Sequence, residues 1–394
     1  MWPSVSYEMC AWDRDYDELM LIPKSRRRKI LPSYEAAVPA EIAEQAVCLP
    51  PELERWMSDV EVALARFDEA QAARDWNLPA LFLRSESSSS SQIERLTSSV
   101  RNVALAELTE KAPANALLIT GNVAAMREAL GQSGPVDISS ICSIHDTLMV
   151  GTAEKKGLRD EQVWIGGTPY SPHGASFVPP HASRVSNCLE DLVLFGKREG
   201  FSPIAKAAIF HAQFEAIHPF TDGNGRTGRA LVHRMLASDE VLMHSSLPVS
   251  AGLLHDVERY LAALDAYHSG EIEPIVGCLT DALELAVVIG SRIASDVDGV
   301  LDSWSAANTD RAGSASHGLP ALLVEQPVVN TAYIAEHLGI TDRAARSLVE
   351  TACERGILSK IGNAKRGAFY QAGELIEILE EASSLHGIRR IAAR

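Results

Sequence analysis

The run His218-Pro219-Phe220-Thr221-Asp222-Gly223-Asn224-Gly225-Arg226-Thr227-Gly228-Arg229 constrains this chain more than any other segment. Gly223 and Gly225 can take backbone angles closed to other residues, so the chain can turn tightly there and aim N–H groups at an anion. After them, Ala230, Leu231, Met235 and Leu236 keep helical spacing without a proline, which predicts a turn feeding directly into a helix N-terminus. Free amides and aligned dipoles at such an end favour phosphate. Arg226 and Arg229 are three apart, hence on one face, and two forked guanidiniums suit phosphate oxygens. Asp222 suits a hard cation such as Mg2+ shared with substrate phosphates, and Asn224 offers a neutral donor. His218, ordinarily titrating near neutrality, fits a general base. The segment reads as a site for handling a polyphosphate.

At 394 residues the chain exceeds one average domain. With 46% hydrophobic and 22% charged residues it has material for a core and does not read as disordered. A net charge of -16 weighs against a nucleic-acid protein as a whole, although residues 320–394 hold nine Lys plus Arg against nine Asp plus Glu. The cysteines Cys10, Cys48, Cys142, Cys188, Cys278 and Cys353 are scattered without zinc-ligand spacing and read as reduced thiols. The N-terminus, with Trp2, Glu8 and Asp13 to Asp17, has no basic segment followed by an apolar one, and no run of about 18 apolar residues is apparent. The expectation is a soluble, cytoplasmic protein without membrane contact.

The prevailing period is helical. Residues 1–50 are rich in turn formers and charges, with Arg26-Arg27-Arg28 read as a solvated face. Leu53, Trp56, Met57, Val60, Val62, Leu64 and Phe67 predict an amphipathic helix, and helical patterns return over 97–130, 136–149 and 183–217. Between two of these lies the tract Ser87 to Ser91. Its composition suggests a flexible linker, while its place ahead of a helical pattern suggests a serine cap. The segment 162–169 alternates and ends in glycines, as a short hairpin does. Tyr260, Leu261 and Leu264 at helical spacing read equally well as core. Residues 303–319 look like a linker. Beyond it, a short helix, a Gly-containing turn, a second helix capped by Thr341 and an alternating stretch predict a winged helix-turn-helix. Its wing is expected around Lys365, Arg366, Phe369 and Tyr370, and Arg343 and Arg346 are placed to face a DNA groove, although this fold also grips proteins.

The run His218 to Arg229 matches, at every specified position, the signature of the Fic family, and the chain resembles that family over about residues 50–290. The resemblance implies a mainly α fold: a Fic-type helical bundle with a short β-hairpin flap, here followed by the winged-helix domain. It implies an N-terminal helical region at 1–110, a catalytic core at 111–300, a linker at 301–319 and the winged helix at 320–394. It implies transfer of AMP from ATP to a hydroxyl of a protein target or of the chain itself, with His218 as base and Asp222 holding Mg2+. The nucleotide contacts are then Asp222, Gly223, Asn224, Gly225, Arg226, Thr227, Gly228 and Arg229. Ile165, Gly166, Gly167 and Thr168 of the flap join them, as do Tyr260, Leu261 and His268 around the base. The flap at Val163 to Gly167 is implied to clamp the target peptide. Ser90 and Glu94 resemble the family's N-terminal inhibitory motif, Ser/Thr-x-x-x-Glu-Gly/Asn, with Arg95 where Gly or Asn is usual. There Glu94 occupies the γ-phosphate position on Arg229.

Three other readings of the same residues stand beside this one. One is a DNA-binding regulator whose Fic core senses nucleotide; another is transfer of UMP, phosphate or phosphocholine; the third is removal of AMP with Glu94 aligning water. A homodimer is also compatible with the resemblance. The target, the base preference and the signal that relieves Glu94 are not legible in the sequence.

Overall fold

The computed structural model describes residues 2–12, 22–72, 74, 76, 79–153, 155–364 and 367–393. Lys365, Arg366 and the acidic stretch from Asp13 to Asp17 lie outside them. Strands run β1 Ser6–Ala11, β2 Ser33–Val38, β3 Val328–Asn330, β4 Ser359–Ile361 and β5 Phe369–Gln371. The helices are α1 Lys24–Arg27, α2 Pro51–Ala72, α3 Pro79–Ile93, α4 Val100–Ala106, α5 Ala114–Gly131 and α6 Ile138–Leu148. They continue as α7 Val185–Gly196, α8 Pro203–Ile217, α9 Asn224–Ser238, α10 Val249–His255, α11 Val257–His268 and α12 Glu273–Ala307. The last are α13 Leu319–Glu325, α14 Thr331–His337, α15 Asp342–Glu354, α16 Gly373–Ser383 and α17 Leu385–Ala392. The chain divides into two compact units.

The first unit comprises Met1–Met57, Glu128–Ser238 and Glu258–Cys278. Its centre is α8, buried on nearly every side, so its sequence is apolar all round. Ser202 caps it by accepting from the Ala205 N–H at 3.3 Å, and Pro203 occupies the first turn, where its missing N–H costs nothing. Around α8 pack α7 and α9, and α6 lies against α9. The first fifty residues, read as turns and charges, hold the antiparallel pair β1 and β2, in register from Ser6 opposite Val38 to Ala11 opposite Ser33. In β2 Tyr34, Ala36 and Ala37 are buried, a short apolar signal drowned in the sequence by flanking charges.

The second unit comprises Ser58–Arg127, Asp239–Val257 and Leu279–Arg394. It overturns the linker reading of the serine tract: Ser85, Ser87, Ser88, Ser89, Ser90 and Ser91 are all buried inside α3. Helices α4, α10, α13 and α16 pack around it, and small side chains let them approach from every side. Buried Glu86 accepts from the Ser250 N–H at 2.7 Å, and Asn122 donates to the Ser87 carbonyl at 3.1 Å. The helix ends in a Schellman turn, with the Arg95 N–H on the Gln92 carbonyl, the Leu96 N–H on the Ser91 carbonyl and Arg95 at a φ of 63°. Gly or Asn ordinarily fills that left-handed position, because neither meets the steric cost that Arg accepts here.

The supposed linker at 301–319 begins as the last two turns of α12, where Leu301 and Trp304 are buried and Trp304 donates to Glu374 at 2.8 Å. Small residues raised no apolar pattern there, yet none of them forbids helix. Contrary to the sequence reading, α12 is long and apolar enough to cross a membrane by length and composition; 61% of its most apolar stretch is buried inside the protein, as in a core helix. Downstream, β3, β5 and β4 form an antiparallel sheet in that order. Asn330 caps α14 and Thr341 caps α15, each side chain accepting from an N–H three residues on.

Candidate active site

The twelve-residue run lies entirely within the first unit and joins α8 to α9. His218 ends α8 in the left-handed conformation, at φ 50° and ψ 62°, with its N–H on the Phe214 carbonyl at 2.9 Å. A non-glycine residue held there is strained, a condition that persists where surroundings over-determine the backbone. The imidazole is mostly buried, and burial, with the nearby charge of Arg159, pushes its pKa down to about 4. His218 is therefore neutral at pH 7 and able to accept a proton. Glu215, one turn back, places a carboxylate oxygen 3.9 Å from its Nδ1.

Between the helices the loop is fastened at both ends. Phe220 is fully buried, stacked on His145 of α6 with ring centres 3.6 Å apart and planes 2° apart. The Phe220 N–H donates to the Asn224 side-chain carbonyl, and the Asn224 amide donates to the Phe220 carbonyl, each at 2.9 Å. Asn224 thus closes the loop with the side chain assigned as a ligand donor. His145 Nε2 lies 3.1 Å from the Asp222 carbonyl. Gly223 has φ 75°, a conformation that strains any residue with a Cβ, and a Cβ there would crowd the side-chain ends of Met149 and Leu148.

Asp222 leaves its side chain 55% exposed, 3.2 Å from the Arg226 guanidinium. One exposed carboxylate beside a helix N-terminus matches the donor set of a magnesium ion that arrives with phosphates and keeps its waters. Among the described residues no group of three or more His, Cys, Asp or Glu forms a protein-only metal cage. Arg226 and Arg229 are buried at 7% and 3% exposure. Gly225 is the second residue of α9, in the first turn, whose leading N–H groups have no partner within the helix. Thr227 and Gly228, expected to touch nucleotide, face inward instead: Thr227 is fully buried, and a Cβ on Gly228 would lie 2.8 Å from Glu215 and 3.0 Å from His211.

Tyr260 is likewise displaced from its assigned role. It is 2% exposed, with its hydroxyl 2.7 Å from His211 Nε2, so its ring belongs to the core and offers no face to a base. Desolvation raises the Tyr260 pKa, and Arg229, charged and hydrogen-bonding to it, acts in the opposite direction. Leu261, next to it, is exposed. His268 stacks on Phe177 with centres 4.2 Å apart, which places it beside the flap.

The segment expected to form the flap is a narrow loop. The Ile165 N–H donates to the Phe177 carbonyl at 2.8 Å, and the Ser176 N–H returns to the Ile165 carbonyl at 2.8 Å. Gly166 and Gly167 take positive φ at its exposed tip, where a Cβ on Gly167 would sit 3.0 Å from the Ala175 backbone. Thr168 accepts from the Trp164 indole at 2.8 Å. Gln162 bridges to the Pro179 carbonyl at 2.9 Å, closing the neck of the loop. Sequence reasoning missed Arg159 and His145. His145 is hidden in the apolar stripe Ile141, Ile144, Leu148, and Arg159 is a lone cation with no pattern around it.

Residues 135–236 match the Fic/DOC family model. The chain carries a Fic/DOC family domain. It is 32% identical over 130 residues to a probable protein adenylyltransferase of Aquifex aeolicus, 33% of this chain and 36% of that one. It is 27% identical over 193 residues to a protein adenylyltransferase of Caenorhabditis elegans, 47% of this chain and 35% of that one. The chain thus spans about a third of these relatives' length. A crystal structure of a Fic family protein from Desulfovibrio desulfuricans G20 is similar in fold, with a TM-score of 0.55 at 21% identity, covering 83% of this chain and 97% of that one.

Proposed function

We propose that the protein is an ATP-dependent protein adenylyltransferase, moving AMP onto a hydroxyl side chain of a target protein or of the chain itself. The observation that carries this reading is a neutral histidine at the start of a fastened glycine loop that opens onto a helix N-terminus bearing two arginines. His218 removes the proton of the incoming hydroxyl. The leading amides of α9 hold phosphate oxygens, Arg226 takes the inner phosphates and Arg229 the γ phosphate. Asp222 would hold Mg2+, which neutralises phosphate charge when bound. The chemistry asks for positioning and charge neutralisation, since a triphosphate already carries a good leaving group. The flap from Val163 to Gly167 clamps the target by backbone pairing.

Autoinhibition belongs to the same reading. Glu94 is the first residue past α3, inside the turn that ends it and next to the buried serine run, and a carboxylate competes with a phosphate oxygen for the same guanidinium. Incubation with labelled ATP tests both assignments. Replacing His218 with Ala should lower labelling by about 10²- to 10⁴-fold, the worth of a general base. Glu94→Gly should raise it by about 10- to 100-fold, the worth of one charge-assisted contact. Labelling by the His218→Ala protein at the parental rate refutes the base.

The C-terminal sheet β3-β5-β4 with capped α14 and α15 supports the winged-helix reading, and Arg343 and Arg346 are both exposed on α15. We assign this segment to gripping a partner protein or a second copy of the chain. Duplex DNA is the rival partner, tested by titration at varied salt.

A further inference from the structure

We propose that Arg159 is a positioning residue, a single guanidinium that caps the C-terminus of α8 from a distant loop and ties the His218 backbone to both legs of the flap. The side chain is 3% exposed, and its hydrogen bonds run to main-chain carbonyls. Nε donates to His218 O at 2.8 Å, and Nη2 lies 3.4 Å from Ile217 O. Nη1 donates to Glu161 O at 3.0 Å and Nη2 to Pro180 O at 2.6 Å. Its own N–H donates to Pro219 O at 3.0 Å. Glu161 and Pro180 flank the flap neck that Gln162 closes, while Ile217, His218 and Pro219 are the end of α8 and the start of the catalytic loop.

Three physical consequences follow from that placement. The last carbonyls of a helix lack intrahelical donors and carry the negative end of its dipole, so a buried cation there satisfies them and is itself stabilised. Although burial draws the Arg159 pKa down to about 10, the group stays charged at neutral pH. The strained conformation of His218 also needs an external restraint, and a planar fork fixes carbonyl directions as a flexible ammonium does not. Finally, movement of the flap legs on binding a peptide is transmitted to the residue carrying the base. Gly157 supports this, its N–H donating to Asp146 of α6 at 3.0 Å and so holding the loop before Arg159 in place.

The kinetic consequence rests on the adenylyl-transfer reading; the geometry does not. Two measurements separate them. In arginine-labelled wild-type protein, the Nε–H signal of Arg159, assigned by through-bond correlation to the Arg159 backbone amide, should be protected from solvent exchange by at least about 100-fold relative to exposed arginines. A rapidly exchanging signal overturns the proposal. In Arg159→Lys and Arg159→Gln, checked for native circular dichroism, kcat for labelling should fall by about 10- to 100-fold with KM for ATP within about twofold, because the nucleotide contacts lie on α9. Unchanged kcat, or a KM rising by the same factor, overturns it. A wild-type chain without transfer defeats the adenylyl-transfer reading alone, and unfolded variants leave the Nε–H exchange to decide.

Discussion

His218 owes its chemistry to where the chain places it, at the left-handed end of a buried helix. Burial and the Arg159 charge draw its pKa to about 4, against an ordinary 6.5. The base form therefore persists well into acid. The acid limb of kcat/KM, measured under labelling conditions, should be centred nearer pH 4 than pH 6.5; activity is full above that limb and lost as pH falls through it. A limb at 6.5 contradicts the buried assignment. The chemistry-bearing residues of this loop were legible because glycine, carboxylate and arginine at fixed spacing have few other uses. What was not legible was which of them turn inward. Asn224 and Tyr260 carry polar or aromatic groups that a sequence presents as ligands, yet their partners are Phe220 and His211, while Thr227 is buried and Gly228 lies against Glu215 and His211 of α8, all set by tertiary neighbours.

At the scale of elements, the site depends on α8 and α9 lying close enough for Gly228 to face Glu215 and His211. Gly228→Ala inserts a methyl at 2.8 Å from Glu215 and should destabilise the protein by about 1–3 kcal/mol, read as a lower midpoint in urea unfolding. The opposite sign is expected at the end of α3. Arg95→Gly removes a side chain from a left-handed position and should stabilise by up to about 1 kcal/mol in the same measurement. Helices with apolar stripes, α2, α6 and α7 among them, were readable from spacing. The tract Ser87 to Ser91 was not, since serine carries no apolar signal and only the helices packed around α3 make it core. The antiparallel pair β1–β2 was hidden by the charges around it, and the last turns of α12 by small residues that raise no apolar pattern.

For the whole molecule, charge and order along the chain decide what it can meet. With a net charge of -16 and a balanced C-terminal segment, the chain should show no affinity for duplex DNA above about 10⁻⁴ M at physiological salt, checked by fluorescence anisotropy at several salt concentrations; a tight complex with a steep salt slope would favour the regulator reading. Each compact unit is assembled from three separated stretches of sequence, so the elements that form them cannot be excised as contiguous pieces. The buried serine run has one further consequence. In a helix each residue advances about 1.5 Å and turns about 100°. Gain or loss of a single serine between Ser87 and Ser91 would therefore swing Glu94 about a quarter-turn around the axis while leaving the composition almost untouched. Under the autoinhibition we propose, the run works as a gauge block: the aim of the carboxylate is counted in serines, and exchange within that count should be tolerated far better than any change in its number.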